Sequence, residues 1–194
     1  MMTDSNRKYF TWGVVVTVLV VYGILFLLTQ DLDNISPIGM LKIIPTTVSV
    51  ELLLWFVFSK WGWKWKRFHP WLVSTPDLSG NWEGTLHYVW NGMEGDRDTS
   101  VKILQSFNHV TVILSTIESD SRSVSASFDI DEKKGIYALY YTYVSEPQIT
   151  IQDRSAIHYG TTRLRFENDN PTELKGEYWT SRDTKGSIVL HKIG

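Results

Sequence analysis

The stretch that most constrains this chain is Gly39–Lys60, GMLKIIPTTVSVELLLWFVFSK. From Ile43 to Phe58 it is apolar except for Thr46, Thr47, Ser49 and one carboxylate, Glu51. About 20 helical residues rising ~1.5 Å each cover a hydrocarbon core of roughly 30 Å, so the stretch is long enough to span a bilayer. Hydroxyl residues and Pro45 are tolerated there because side chains and neighbouring helices re-satisfy freed backbone groups. Glu51 falls near the middle of the span, where an ionised carboxylate costs at least ~2.5 kcal/mol. It therefore either bonds within its own chain or forms a polar contact between copies of the chain. Counting inward from helix starts near Phe10 and Gly39 brings Tyr22 to a similar depth, as the partner for an internal bond.

A second span precedes it. Trp12–Leu28, WGVVVTVLVVYGILFLL, carries no charge over 17 residues. It is too long for a signal-peptide core and is followed by TQDLDNISP rather than a small-residue cleavage site, so it reads as a retained helix. Two helices, about 10–29 and 39–60, joined by a short acidic turn with breakers at Pro37 and Gly39, predict an antiparallel hairpin. Arg7 and Lys8 precede the first helix; Lys60, Lys64, Lys66 and Arg67 follow the second; Asp31 and Asp33 lie between. The positive-inside rule then places the N-terminus and everything after the hairpin in the cytoplasm. The linker, 61–75, interleaves Trp61, Trp63, Trp65 and Trp71 with the basic residues, as suits a headgroup-level collar.

From 76 to 194 the pattern changes to alternating β-formers separated by Gly, Asn, Asp and Ser turns. Expected strands are 78–90, 99–107, 110–117, 123–130, 136–144, 158–167, 173–180 and 187–192, with a weak one at 149–152 and a long polar turn at 91–98. About eight short strands with no intervening helix predict an up-and-down antiparallel β-barrel, which removes exposed strand edges. Such a barrel either fills its interior or holds one small ligand.

Charge narrows the ligand class. Residues 1–75 hold seven basic and four acidic residues, a balance of +3, so the whole-chain charge of −2 leaves 76–194 at −5. A domain this acidic is a poor binder of long nucleic acid, whose affinity rests on many phosphate contacts. A few arginines can still hold a small anion. The absence of cysteine excludes disulfides and cysteine-ligated metals. The five histidines fall on different elements without metal-ligand spacing, and no catalytic motif is present, so no enzyme activity, cofactor or metal is expected.

A binding site is easier to build. Alternation from Leu174 puts Gly176, Tyr178, Thr180 and Arg182 on its face, so Thr180 and Arg182 reach a barrel mouth if Leu174 and Tyr178 point inward. Tyr137, Leu139, Tyr141 and Tyr143 share a face in IYALYYTYV, as do Val101, Ile103, Gln105 and Phe107 in the strand 99–107. Tyr178, Thr180, Arg182, Tyr141 and Gln105 are the candidate contacts. The same tyrosines could instead fill a solid barrel, leaving Arg182 a solvated turn residue. Arg163 and Arg165, alternating with Leu164 and Phe166, point outward.

The order of parts resembles a known family. A two-helix hairpin, the opening Leu78, Ser79, Gly80, Trp82, Gly84, and the closing Gly176, Tyr178, Thr180, Arg182, Thr184, Gly186 resemble the SMODS-associating two-transmembrane, β-strand-rich effectors. These are the membrane-bound β-barrel effectors of bacterial CBASS anti-phage defence. The resemblance covers essentially the whole chain. It implies a barrel that receives a cyclic dinucleotide, a homo-oligomer formed on activation, disruption of the inner membrane, and abortive infection. Competing readings are a membrane-tethered scaffold with a filled barrel and a carrier with a wholly apolar cavity.

Overall fold

The computed structural model describes residues 4–29, 37–69, 72–131, 134–153, 155–167 and 171–193. The chain divides into a helical unit ending at Ser74 and a β unit beginning at Thr75.

In the helical unit, α1 covers Asp4–Thr29 and α2 covers Pro37–Lys60, with Pro45 inside the second. Both are long and apolar enough to cross a membrane. At 26 residues α1 is about 39 Å long, beyond the ~30 Å of a bilayer core, because a helix nucleated in apolar sequence continues into its polar flank. Hydroxyl groups of Thr17, Thr47 and Ser49 in the spans are satisfied locally. The Thr17 hydroxyl reaches Gly13 O and Val14 O, Thr47 reaches Ile43 O at 3.0 Å, and Ser49 reaches Pro45 O at 2.9 Å. The helices run antiparallel, with Phe10 against Trp55 at 5.5 Å between ring centroids. Two 3₁₀ turns follow, Gly62–Lys64 and Lys66–Phe68, where Lys60 lies over the Phe56 ring and Lys64 over Trp63. Of the expected acidic turn at 29–38, residues 30–36 lie outside the described residues, as does Trp71, while Pro37 and Ile38 already belong to α2.

The internal bond between Tyr22 and Glu51, one of the two alternatives for the carboxylate, does not form. The Tyr22 hydroxyl donates to Met40 O at 3.4 Å. Tyr22 lies seven residues before the end of α1, whereas Glu51 lies fourteen after the start of α2. In antiparallel helices that separates them by about 10 Å along the axis.

The β unit is a closed barrel of eight strands, each antiparallel to the next and the last closing on the first. The strands are β1 Gly80–Trp90, β2 Met93–Gln105, β3 Val110–Ser115, β4 Ser119–Asp131, β5 Ile136–Pro147, β6 His158–Arg165, β7 Glu173–Thr180 and β8 Lys185–Ile193. Two details correct the sequence reading. The polar run 91–98 is not a long turn: Trp90 already faces Met93, and only Asn91 (φ 49°) and Gly92 (φ 77°) turn the chain. Asn-Gly accepts positive φ at both positions, which is what a two-residue hairpin on twisted strands requires. The weak strand at 149–152 is instead a 3₁₀ turn, Ile149–Ile151, within the β5–β6 connection. Of the connection between the strands expected at 158–167 and 173–180, residues 168–170 lie outside the described residues.

One end of the barrel is solid. Leu78, Trp82, Ile103, Leu139, Leu164, Leu174 and Leu190 are fully buried there, the period-two positions of their strands. The chain enters at this end, tied by Trp82 Nε1 donating to Leu78 O at 3.0 Å. Gln105 completes the tie: its Nε2 donates to Pro76 O and its Oε1 accepts from Leu78 N, both at 2.8 Å.

Candidate functional site

The opposite end is open. There the strands enclose a cavity of about 360 Å³, within the range of small-molecule sites. It is walled by Tyr88 and Trp90 of β1, Tyr141 and Tyr143 of β5, Thr162 of β6 and Tyr178 of β7, over a floor that includes Val112 and Ile188.

Four tyrosines of this size would fill the lumen if they crossed it. They lie along the wall instead; three of them have glycine opposite across the ladder, while Tyr141 stands opposite Thr162 and Ala126. Tyr143 pairs with Gly160, Tyr88 with Gly95, and Tyr178 with Gly186. A Cβ on Gly95 would stand 2.6 Å from Tyr88 Oη; one on Gly160 would overlap Tyr143 Cζ and Oη. The rings occupy the space that side chains would otherwise fill, and the lumen stays hollow.

The phenols are held as neutral hydroxyls. Burial pushes Tyr141 up to about 12, partly opposed by its hydrogen bond with Thr162. Burial raises Tyr143 and Tyr178 as well, and neighbouring phenols add to both. Each is thus available to the cavity as donor or acceptor across the physiological range.

Cationic groups sit at the rim. Arg182, in the β7–β8 turn, donates from Nη1 to Ser155 Oγ at 2.6 Å and lies over the Trp90 ring, 5.9 Å from its centroid. The turn is shaped by Thr180, whose Oγ1 accepts from Arg182 N at 3.3 Å and Thr184 N at 3.2 Å, while Asp183 takes the left-handed conformation. Arg97 of β2 lies over the Tyr88 ring at 5.4 Å and pairs with Glu118 of the β3–β4 turn at 3.1 Å. His158 Nδ1 lies 2.9 Å from Ala156 O, a bond in which the ring nitrogen carries the proton and donates it. Burial first, and then the Arg182 charge, lower its pKa, against the pull of that backbone bond.

Of the residues singled out from sequence, Tyr141, Tyr178, Thr180 and Arg182 come together around this one cavity. Gln105 does not join them. Its inward phase is right, but it lies at the solid end with its amide engaged by backbone. Arg163 bonds Glu177 at 2.6 Å, outside the lumen lining. Sequence reasoning missed Arg97, Glu118, His158 and Ser155. The signal for Arg97 was there: stepping back by two from buried Val101 through Thr99 reaches it, once the hairpin is shortened to Asn91-Gly92.

Comparison with known proteins bears on the same region. Residues 73–192 match the family described as Cap15, cyclic dinucleotide receptor domain. A CD-NTase-associated protein 15 from Staphylococcus schleiferi is 37% identical over 156 residues, covering 80% of this chain and 82% of that protein. One of the same name from Yersinia aleksiciae is 29% identical over 151 residues, covering 75% of this chain and 68% of that protein. With its two apolar helices, its closed eight-stranded barrel and these matches together, the chain belongs to the Cap15 family of two-transmembrane, β-barrel CBASS effectors.

Proposed function

We propose that the open end of the barrel binds a cyclic dinucleotide, and that binding gathers the helical hairpins into membrane-disrupting oligomers. The observation that carries the first half is the character of the cavity. A wholly apolar lumen would suit a lipid carrier, and a filled one a scaffold. This lumen sets tyrosine hydroxyls and Thr162 around its wall and Arg182 at its rim. Aromatic faces accept bases, and guanidinium groups match phosphates in charge and geometry. Tyr141, Tyr178 and Arg182 are direct contacts in this reading. Thr180 positions Arg182 through the turn that its hydroxyl caps.

The second half rests on the helices and the charges around them. Basic residues flank the hairpin on one side, which favours a cytoplasmic N-terminus and barrel in a bacterial inner membrane, where a cytosolic messenger reaches the cavity. Glu51 carries an oxygen that is buried without a hydrogen-bond partner among the described residues, and it supplies a polar contact between copies. Oligomer formation then leads to loss of the membrane barrier and of the infected cell.

The test is binding of cyclic di-AMP, cyclic di-GMP and 3′,3′-cyclic GMP-AMP to the full chain in detergent, followed by chemical crosslinking with and without the tightest binder. Saturable binding with ligand-dependent oligomers is expected. Failure of all such ligands to bind removes the receptor reading; binding without any change in oligomer removes the activation step.

A further inference from the structure

We propose that Glu118 is a built-in placeholder for one ligand phosphate: it holds Arg97 at the cavity wall and must release it before an anion binds there. The inference rests on the reading of the cavity as a cyclic dinucleotide site. The cavity carries two guanidinium groups, each laid over an aromatic ring: Arg182 over Trp90 and Arg97 over Tyr88. Each is also held by a rim group. Arg182 has a neutral hydroxyl, Ser155 Oγ at 2.6 Å, whereas Arg97 has a carboxylate, Glu118 Oε2 at 3.1 Å.

The two tethers differ in what displaces them. A phosphate competes easily with a neutral hydroxyl for Arg182, because charge-assisted bonds to guanidinium are about twice as strong as neutral ones. At Arg97 it must replace one anion by another. The pair is partly open to water, with side-chain exposures of 36% and 27%, so the exchange costs little but not nothing. A ligand with one phosphate satisfies Arg182 and leaves the second pair closed. A ligand with two phosphates engages both guanidiniums and must displace the carboxylate to reach the second, so Glu118 holds Arg97 in place at a cost that only such a ligand meets.

Release of Glu118 also reaches the rest of the rim. Its turn is bonded to the β5–β6 connection through Gln148, whose N donates to Glu118 O at 2.9 Å and whose Nε2 donates to Ile117 O at 2.8 Å. That connection carries Ser155, the tether of the other arginine. Capture of both phosphates therefore loosens two rim segments that are tied to each other.

The test is a double-mutant cycle on the full chain in detergent, read by calorimetric titration with the cyclic dinucleotide that binds wild type most tightly. Glu118→Gln is expected to tighten binding roughly two- to five-fold, by weakening a partly exposed pair. Arg97→Gln is expected to weaken it about 10- to 150-fold, and in that background Glu118→Gln should give no further gain. Equal gains in both backgrounds would mean that the carboxylate acts only through bulk charge. Weaker or unchanged binding in Glu118→Gln would mean that it contacts ligand directly or not at all. Either result overturns the placeholder role while leaving the receptor reading intact; absence of wild-type binding overturns both.

Discussion

Gly160→Ala is the sharpest test of why this barrel is hollow. Replacing a strand glycine with alanine ordinarily stabilises a protein by about 0.5–1 kcal/mol, by limiting the freedom of the unfolded chain and improving strand propensity. At Gly160 the new methyl would overlap Tyr143 Cζ and Oη and stand 2.8 Å from Cε1, where ordinary contact begins at 3.4 Å. The ring must retreat by at least ~0.6 Å, and the sheet behind it leaves only the lumen as the way out. Overpacking of this kind costs about 1–3 kcal/mol, which exceeds the gain. For a barrel of this size each kcal/mol moves the melting temperature by roughly 4 °C, so after the gain is subtracted a net loss of up to about 2.5 kcal/mol, and a fall of up to about 10 °C, is expected. Ligand affinity should fall in parallel, since the displaced ring enters the cavity. Differential scanning fluorimetry and titration calorimetry on the full chain in detergent supply the two readouts. In a Tyr143→Leu background, which lacks the struck atoms, the same alanine should be neutral or stabilising. An equal melting-temperature loss in both backgrounds, or unchanged affinity in Gly160→Ala, would refute the account of the tyrosines as wall rather than filling.

Three further outcomes follow from the same geometry. Arg182→Ala should weaken cyclic dinucleotide binding by about 1.5–3 kcal/mol, or roughly 10- to 150-fold, with the barrel's circular dichroism unchanged; undiminished binding would remove Arg182 from the contact set. Reporter fusions after Ile193 and within residues 31–34 should report opposite compartments, with the first cytoplasmic; a periplasmic barrel would sink the mechanism. Because burial raises Tyr141 to about 12 from an unfolded value near 10, its neutral form is favoured in the fold. That contribution is complete below pH 10 and lost between pH 10 and 12, so denaturant midpoints should fall over this window less steeply in Tyr141→Phe.

The barrel was legible because every strand announces itself by a period of two. Trp82, Leu86, Tyr88 and Trp90 alternate in β1, and Leu174 and Tyr178 in β7, and all of them face inward. Strand number and closure follow from that pattern, since eight such strands have few other ways to bury one face. The cavity was not legible, because hollowness depends on register. Tyr143 meets Gly160 and Tyr178 meets Gly186 only after the ladder has fixed which residues stand opposite. Arg97 was hidden for a related reason: a run of Gly, Glu and Asp reads as loop until the Asn-Gly hairpin is recognised as two residues long. Gln105 shows the converse limit. Alternation finds the side of the sheet a residue faces, but not which end of the barrel it serves.

In the helical unit, the separation of Tyr22 from Glu51 removes one of the two partners considered for the carboxylate, the one within its own chain. A bond inside the chain would have made Glu51 a private structural matter, but Tyr22 is engaged by Met40 O instead. The hydroxyl of Thr17, the other polar group in the middle of α1, is taken by Gly13 O and Val14 O of its own helix. Glu51 Oε1 thus remains buried and without a hydrogen-bond partner among the described residues. A carboxyl group in hydrocarbon gains about 0.6–2 kcal/mol from each interhelical bond, and a second copy of the hairpin can provide one. In the activation step proposed above, such a contribution over several copies would favour assembly once ligand had brought the barrels together, yet would be too small to assemble the hairpins by itself. Glu51→Gln, which keeps the capacity to bond, should leave ligand-induced oligomers and vesicle leakage nearly intact. Glu51→Leu should insert normally and bind ligand normally while losing both. Crosslinking and dye release from liposomes read the two effects separately, and undiminished oligomers with undiminished leakage in Glu51→Leu would reduce Glu51 to a residue that matters only within its own hairpin.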